Sequence, residues 1–286
     1  MSRGFRGWSL AVTAMLLAAI AAAQQPPGDN AAPAESDVDK AQIEAALKLT
    51  TAEADKYEFR LAEAEAETAT RLSEPLLRWS NPAAGEIHGN VFLWTLHDRP
   101  LAVGSLFKWF SPHTHMSHEF RSLSESPLAG NYEKNEVWRT REDGLKFAPL
   151  PDAPEPAASA QERLLQLRRL AREFSVLKQE RDDTRQELRL LPQPLHRYAA
   201  PKADIADGAL FVFVQGTDPE VFLLLEARGE GDAAKYHFAA ARMNGVGFTM
   251  RYRDREVWSA SVLPWRDINS HAEVYTSFRF ENVSIP

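Results

Sequence analysis

Hydrophobic and polar positions change period several times along this chain, and each change predicts an element. From Asp37 to about Glu67 the apolar residues Ile43, Leu47, Ala54, Tyr57 and Leu61 are mostly three, four or seven apart, with no proline between them. That spacing places one stripe on a helix, which Ser36 or Asp37 can cap. A second helix is predicted over about 158–183, where Leu164, Leu167, Leu170, Ala171, Phe174 and Leu177 form the stripe. Elsewhere the apolar runs are short and bounded by turn residues. Runs 91–96 and 101–109 flank His97-Asp98-Arg99-Pro100; 210–214 and 221–227 flank a turn from Gln215 to Pro219; 247–252 and 256–263 flank Arg253-Asp254-Arg255. These read as hairpins, and 274–280 alternates as a last strand. Two long helices against roughly ten strands predict an α+β fold.

A repeat at a step of 119 residues organises these elements. Pro75-Leu76-Leu77-Arg78-Trp79 returns as Pro194-Leu195-His196-Arg197-Tyr198. Pro82, Ala84, Gly89, Phe92, Pro100, Leu106 and His118 return as Pro201, Ala203, Gly208, Phe211, Pro219, Leu225 and His237. The expected architecture is therefore an internally duplicated unit of one helix on an antiparallel sheet, over 37–150 and 158–286. The proline-rich stretch 151–157 links the copies. One helix on a few strands leaves a sheet face bare, and two copies can cover each other. Gly89 and Gly208 are expected at turns before a strand, and Pro100 and Pro219 at hairpin turns. Arg78 and Arg197 are expected to stack on a ring or pair a carboxylate.

The N-terminus changes the picture of where the chain goes. Arg3 and Arg6, the apolar stretch Leu10 to Ile20 and Ala21-Ala22-Ala23 are the three parts of a secretory signal over 1–23. The apolar stretch is short for a span, so the alternative is a retained N-terminal anchor. Residues 24–36 read as a disordered tether. An exported protein, periplasmic or extracellular, is expected, with no membrane span after cleavage. The net charge is −7, and removing Arg3 and Arg6 takes it two units further negative. No basic field attracts phosphate, so nucleic acid is not an expected partner. The chain has no cysteine. Disulfides, cysteine-zinc sites, iron–sulfur ligation and thiol catalysis are thereby excluded.

Candidate chemistry is sparse. His113, His115, His118 and Glu119 form the one segment with metal-like spacing. Two imidazoles two residues apart on a strand face the same side and can share zinc or another divalent cation. A strand sends His118 to the opposite face, however, and a hairpin tip of solvated histidines is the plainer reading. No cofactor is therefore expected, with the metal kept as the alternative. No serine-nucleophile elbow, dinucleotide loop or phosphate loop occurs. Arg251, Arg253 and Arg255 suit an exposed hairpin better than an anion site. Trp79, Trp94, Trp109, Trp138, Trp258 and Trp265 suit a core better than a sugar- or lipid-binding platform.

The strings FLWTLHDRPLAVGSLFKWF, HEFRSLSESPL and DGALFVFVQGTDPEVFLLLEAR resemble exported bacterial proteins of unassigned activity. The resemblance implies export and the boundaries given above; it implies no reaction, ligand or site. The expected function is a non-enzymatic binding or interaction protein with an envelope or extracellular ligand. The alternatives are a metal-dependent enzyme using the histidines and a structural component of the cell envelope.

Overall fold

The computed structural model describes residues 37–64, 67–229, 231–281 and 283, and the predicted signal segment and tether lie outside them. The first helix, α1 (Asp37–Ala54), buries Ala46, Thr50 and Ala54, which are four apart and small enough to let it lie close on a sheet. It stops well short of residue 67. Tyr57 and Leu61 are also four apart, which suits a strand as well as a helix; Phe59 between them suits only the strand. The segment is β1 (Tyr57–Leu61), with Tyr57 and Phe59 buried and Glu58 exposed. The second helix, α2 (Ala160–Ala171), is capped by Ser159, whose Oγ accepts from the Glu162 N–H at 3.2 Å. It gives way to β10 (Phe174–Gln179), which turns Phe174, Val176 and Lys178 inward and Leu177 out. The expected α+β fold with two long helices is thus corrected. Among the described residues the chain is mostly β, with nineteen strands and three helices of 18, 12 and 4 residues.

Two large antiparallel sheets form the centre. The first runs β19 (Tyr275–Phe280), β6 (Met116–Ser122), β5 (Arg99–Ser111), β4 (Glu86–Leu96), β2 (Thr70–Arg71), with β3 (Leu77–Ser80) also on β4. The second runs β9 (Ala148–Pro149), β16 (Lys235–Arg242), β15 (Asp218–Arg228), β14 (Ile205–Gln215), β12 (Arg189–Leu190), with β13 (His196–Ala200) also on β14. Their inner faces share one core, in which Val91, Leu93 and Val103 meet Leu210, Phe222 and Leu224. Each outer face is covered in turn. Helix α1 and a sheet of β1, β7 (Leu128–Tyr132) and β8 (Asn135–Arg139) cover the first. Helix α2 and a sheet of β11 (Arg185–Glu187), β10, β17 (Gly247–Tyr252) and β18 (Arg255–Ala260) cover the second.

The pairing register explains the repeated motif. Trp79 stands directly across from Gly89, and Tyr198 from Gly208. A Cβ on Gly89 would lie 2.3 Å from the Trp79 ring, and one on Gly208 2.5 Å from the Tyr198 ring. These glycines are therefore inside strands β4 and β14, where an aromatic ring lies flat over them, and not at turns. Pro100 and Pro219 stand opposite Thr95 and Val214, each next to a register shift in the partner strand. A proline needs no ladder partner there. Arg197 grips Asp207, with Nε to Oδ1 at 2.8 Å, whereas Arg78 is exposed. The register also corrects one identity. Leu106 pairs with His118, but Leu225 pairs with Phe238, so Phe238 and not His237 occupies the place of His118.

Each large sheet takes its last strand from the other copy. Strand β9 follows β8 of the first copy in sequence but pairs with β16 of the second. Strand β19 follows β18 of the second copy but pairs with β6 of the first.

Candidate functional site

The histidine segment does not converge. His113 is exposed, with its ring 5.5 Å from that of His115. His115 is buried, which lowers its pKa, as does the charge of Arg279. His118 lies on the outer face of β6, where its Nδ1 is 2.8 Å from the Tyr57 hydroxyl and its ring 4.4 Å from Phe280. Burial, with the charge of Lys56, pushes it down to about 3. Glu119 is next along the strand and points to the opposite face. Among the described residues no three His, Cys, Asp or Glu side chains come together as metal ligands.

Glu119 instead joins a polar cluster at one end of the seam between the large sheets. Burial raises its carboxyl to about 8, with the charge of Asp218 adding to this and a hydrogen bond with Tyr275 opposing it. Asp218, accepting from Asn81 Nδ2 at 3.1 Å, is raised to about 7 by burial and by Glu220. A carboxyl raised in the folded state favours folding when protonated and loses that contribution as the pH climbs through its folded value. A histidine lowered in the folded state does the reverse, contributing above its unfolded pKa and less as the pH falls. Stability should therefore decline as the pH rises from the ordinary carboxylate value of about 4.5 to about 8, and decline again in acid as the pH falls towards the His118 value of about 3. Glu119→Gln should flatten the alkaline decline in melting temperature and leave the acid one, where His118 acts. An unchanged alkaline limb would exclude Glu119 as its source.

A second cluster occupies the other end of the seam. Glu226 is fully buried directly after the apolar run 221–225 of β15. Its Oε1 accepts from the Tyr198 hydroxyl at 2.6 Å and from Arg99 Nε at 3.1 Å, and its Oε2 from Arg228 Nε at 2.6 Å. Glu125 closes the ring, at 2.6 Å from Arg99 Nη2 and at 3.1 and 2.9 Å from the two Nη atoms of Arg228. Burial opposes ionisation of Glu125, but hydrogen bonds from Arg228 and Arg99 outweigh it and lower its pKa. The Arg228 guanidinium stacks 3.8 Å over Phe147.

Above this cluster lies a groove of about 590 Å³ with two walls, residues 96–99 and 200–203. The first wall is the two-residue turn of the β4–β5 hairpin. His97 and Asp98 both have left-handed φ, 51° and 67°, as a turn matched to strand twist requires. The second is the 3-10 turn Pro201–Ala203, ended by Asp204 with φ 54°. Between them, His196 leans on the Asp98 backbone with its Nε2 buried and unpartnered. The repeat provides a comparison within one chain. At the equivalent place in the other half, turn residues Gly216-Thr217 meet Ser80-Asn81. There the Thr217 hydroxyl accepts from the Ser80 N–H and donates to its carbonyl, both at 2.9 Å, and Asn81 holds Asp218. One end is stapled shut; the other stands open.

The ion pairs and the groove were not legible as a site in the sequence. The available signal was Glu220 and Glu226 on either side of the apolar run of β15, since a charge within a buried strand must have a partner. The alternating arginines resolve as a surface feature: Arg253 has φ 54° and pairs with Glu173 at 2.6 Å. Comparison with protein-family models, with curated proteins and with solved structures finds no match to this chain.

Proposed function

We propose that the chain is an exported binding protein, and that the groove between residues 96–99 and 200–203 takes a small zwitterion with an apolar side chain, a free amino acid or short peptide. One observation carries this reading: the same junction is stapled by hydrogen bonds in one half of the repeat and opens into a groove in the other. A scaffold that closes with Thr217 and Asn81 has no structural need of the opening. The volume falls within the roughly 300–1,000 Å³ of small-ligand sites. The walls carry opposite charges, Asp98 on one turn and Lys202 on the other, with Leu96, Pro201 and Ala203 between. Lys202 suits a ligand carboxylate and Asp98 an ammonium, a pairing that also fixes orientation. Arg99 is committed to Glu226 and Glu125, so it serves as a rigid floor.

The test is calorimetric titration with leucyl-leucine and with the same dipeptide acetylated at its N-terminus or amidated at its C-terminus. Blocking either end should weaken binding about tenfold. Asp98→Asn should remove the sensitivity to acetylation and Lys202→Gln the sensitivity to amidation. Equal binding of all three peptides, or of none, would overturn the assignment.

A further inference from the structure

Three of the tryptophans, Trp79, Trp94 and Trp138, lie in the core as their strand positions predict; Trp265 is 71% exposed. It opens the short helix α3 (Trp265–Ile268). Its ring is nevertheless held. The Arg181 guanidinium lies 3.9 Å from the ring centroid, and Arg181 Nη2 donates to the Leu263 carbonyl at 2.7 Å. The Leu263 N–H donates to the Gly245 carbonyl at 2.8 Å. Ile268 fills the space beside Gly245, where a Cβ would come within 2.6 Å of it. The segment bearing Trp265 is thus fixed to the chain turn after β16 at two points, and the ring itself at a third.

Beside this ring is a recess of about 460 Å³ whose rim includes Glu180, Asp182 and Asn244. Glu180 Oε1 pairs with Lys178 at 2.9 Å and Asp182 Oδ1 accepts from the Thr184 N–H at 3.0 Å, so a ligand would meet the second oxygen of each carboxylate. The first copy has no described helix between β8 and β9, so the platform is an addition to the repeated scaffold. An exposed indole costs the chain apolar surface in water, and clamping it also costs conformational freedom. Neither cost serves the cores, all of which are complete without Trp265.

We propose that this recess is a carbohydrate-binding site, with a pyranose ring stacked on the open face of Trp265 and its hydroxyls bonded to Glu180, Asp182 and Asn244. A pyranose has an apolar C–H face and an equatorial rim of hydroxyls. The recess pairs a flat apolar ring with carboxylate acceptors and an amide that both donates and accepts. A cationic ligand fits less well, because Arg181 already supplies the positive charge to this ring and would repel a second. The volume accommodates one or two sugar units.

The test uses the full chain on an array of neutral and acidic pyranose glycans, followed by titration calorimetry with the best disaccharide and with choline as the cationic probe. A glycan should bind and choline should not. Trp265→Ala should weaken glycan binding about tenfold or more and Trp265→Phe by much less. Neither should lower the melting temperature by more than the roughly 2–4 °C that loss of one exposed cation–π contact costs. An array with no bound glycan, preference for choline, or glycan binding that survives Trp265→Ala would each overturn the site. Dipeptide binding in the groove at residues 96–99 is read separately and is independent of the outcome.

Discussion

Replacing Lys178 by methionine should destabilise the protein by about 3–5 kcal/mol near neutral pH, the usual cost of stripping one partner from a buried ion pair. Lys178 and Glu220 have side chains only 5% and 1% exposed. Lys178 Nζ bonds Glu220 Oε1, Gln215 Oε1 at 2.7 Å and Glu180 at 2.9 Å. Without it, Glu220 keeps a buried charge whose Oε2 already lacks a hydrogen-bond partner. The double variant Lys178→Met/Glu220→Leu should recover most of the loss. The molecule contains the precedent. Helices α1 and α2 both end on a fully buried alanine, Ala54 and Ala171. Three residues later Tyr57 and Phe174 each lie 4.8 Å from the tyrosine ending the partner strand, Tyr132 and Tyr252. On that step of 117 residues Leu61 stands where Lys178 does, and on the step of 119 that aligns Pro100 with Pro219 Leu101 stands where Glu220 does; both leucines belong to one apolar core. Denaturant unfolding of the two singles and the double decides it. A single-variant loss below about 1 kcal/mol, or a double no better than the single, would contradict the pair's buried character.

The comparison of halves also shows which features a sequence can carry. The step between copies is visible where strands must hold their register: Trp79 with Gly89 and Tyr198 with Gly208 keep both spacing and chemistry because each ring needs a bare backbone beneath it. The β4–β5 and β14–β15 hairpins were legible for the same reason. The helices were over-read because Tyr57 and Leu61, like Phe174 and Leu177, satisfy a helical stripe on their own. Only the burial of Phe59 and Val176 between them reveals a period of two. Short strands such as β2, β9 and β12 have two residues each and no pattern to read. The groove was illegible for a different reason. Its walls are about a hundred residues apart, and neither Asp98 nor Lys202 differs locally from an ordinary solvated turn residue. What marks them is that Thr217, in the place of Asp98, is bonded to Ser80 at the matching junction, where Asn81 also holds Asp218; this appears only when the two junctions are built.

Deleting β19, by ending the chain after Val274, should abolish cooperative folding altogether. The strand supplies the outer partner of β6 along its whole length, from Tyr275 opposite Arg121 to Phe280 opposite Met116. Tyr275 and Thr276 are buried, and Phe278 and Phe280 pack on the first outer core. A fully buried aromatic such as Tyr275 contributes about 1.5–3 kcal/mol of burial, and the half-buried Phe278 and Phe280 contribute less each. Their joint loss is comparable to the low end of the roughly 5–15 kcal/mol by which domains are stable, and the opened edge of β6 adds to it. The deletion acts on the first copy although the deleted residues end the second, because the copies exchange their edge strands through β9 and β19. Such an exchange makes each sheet incomplete without the other half of the chain. The two copies should accordingly melt in one transition, and a peptide of residues 275–281 added to the shortened chain should restore it by completing the sheet. Circular dichroism and size-exclusion profiles distinguish the outcomes. A shortened chain that stays monomeric and melts cooperatively near the temperature of the full chain would mean that β19 merely rests on β6, and that the halves are not interlocked.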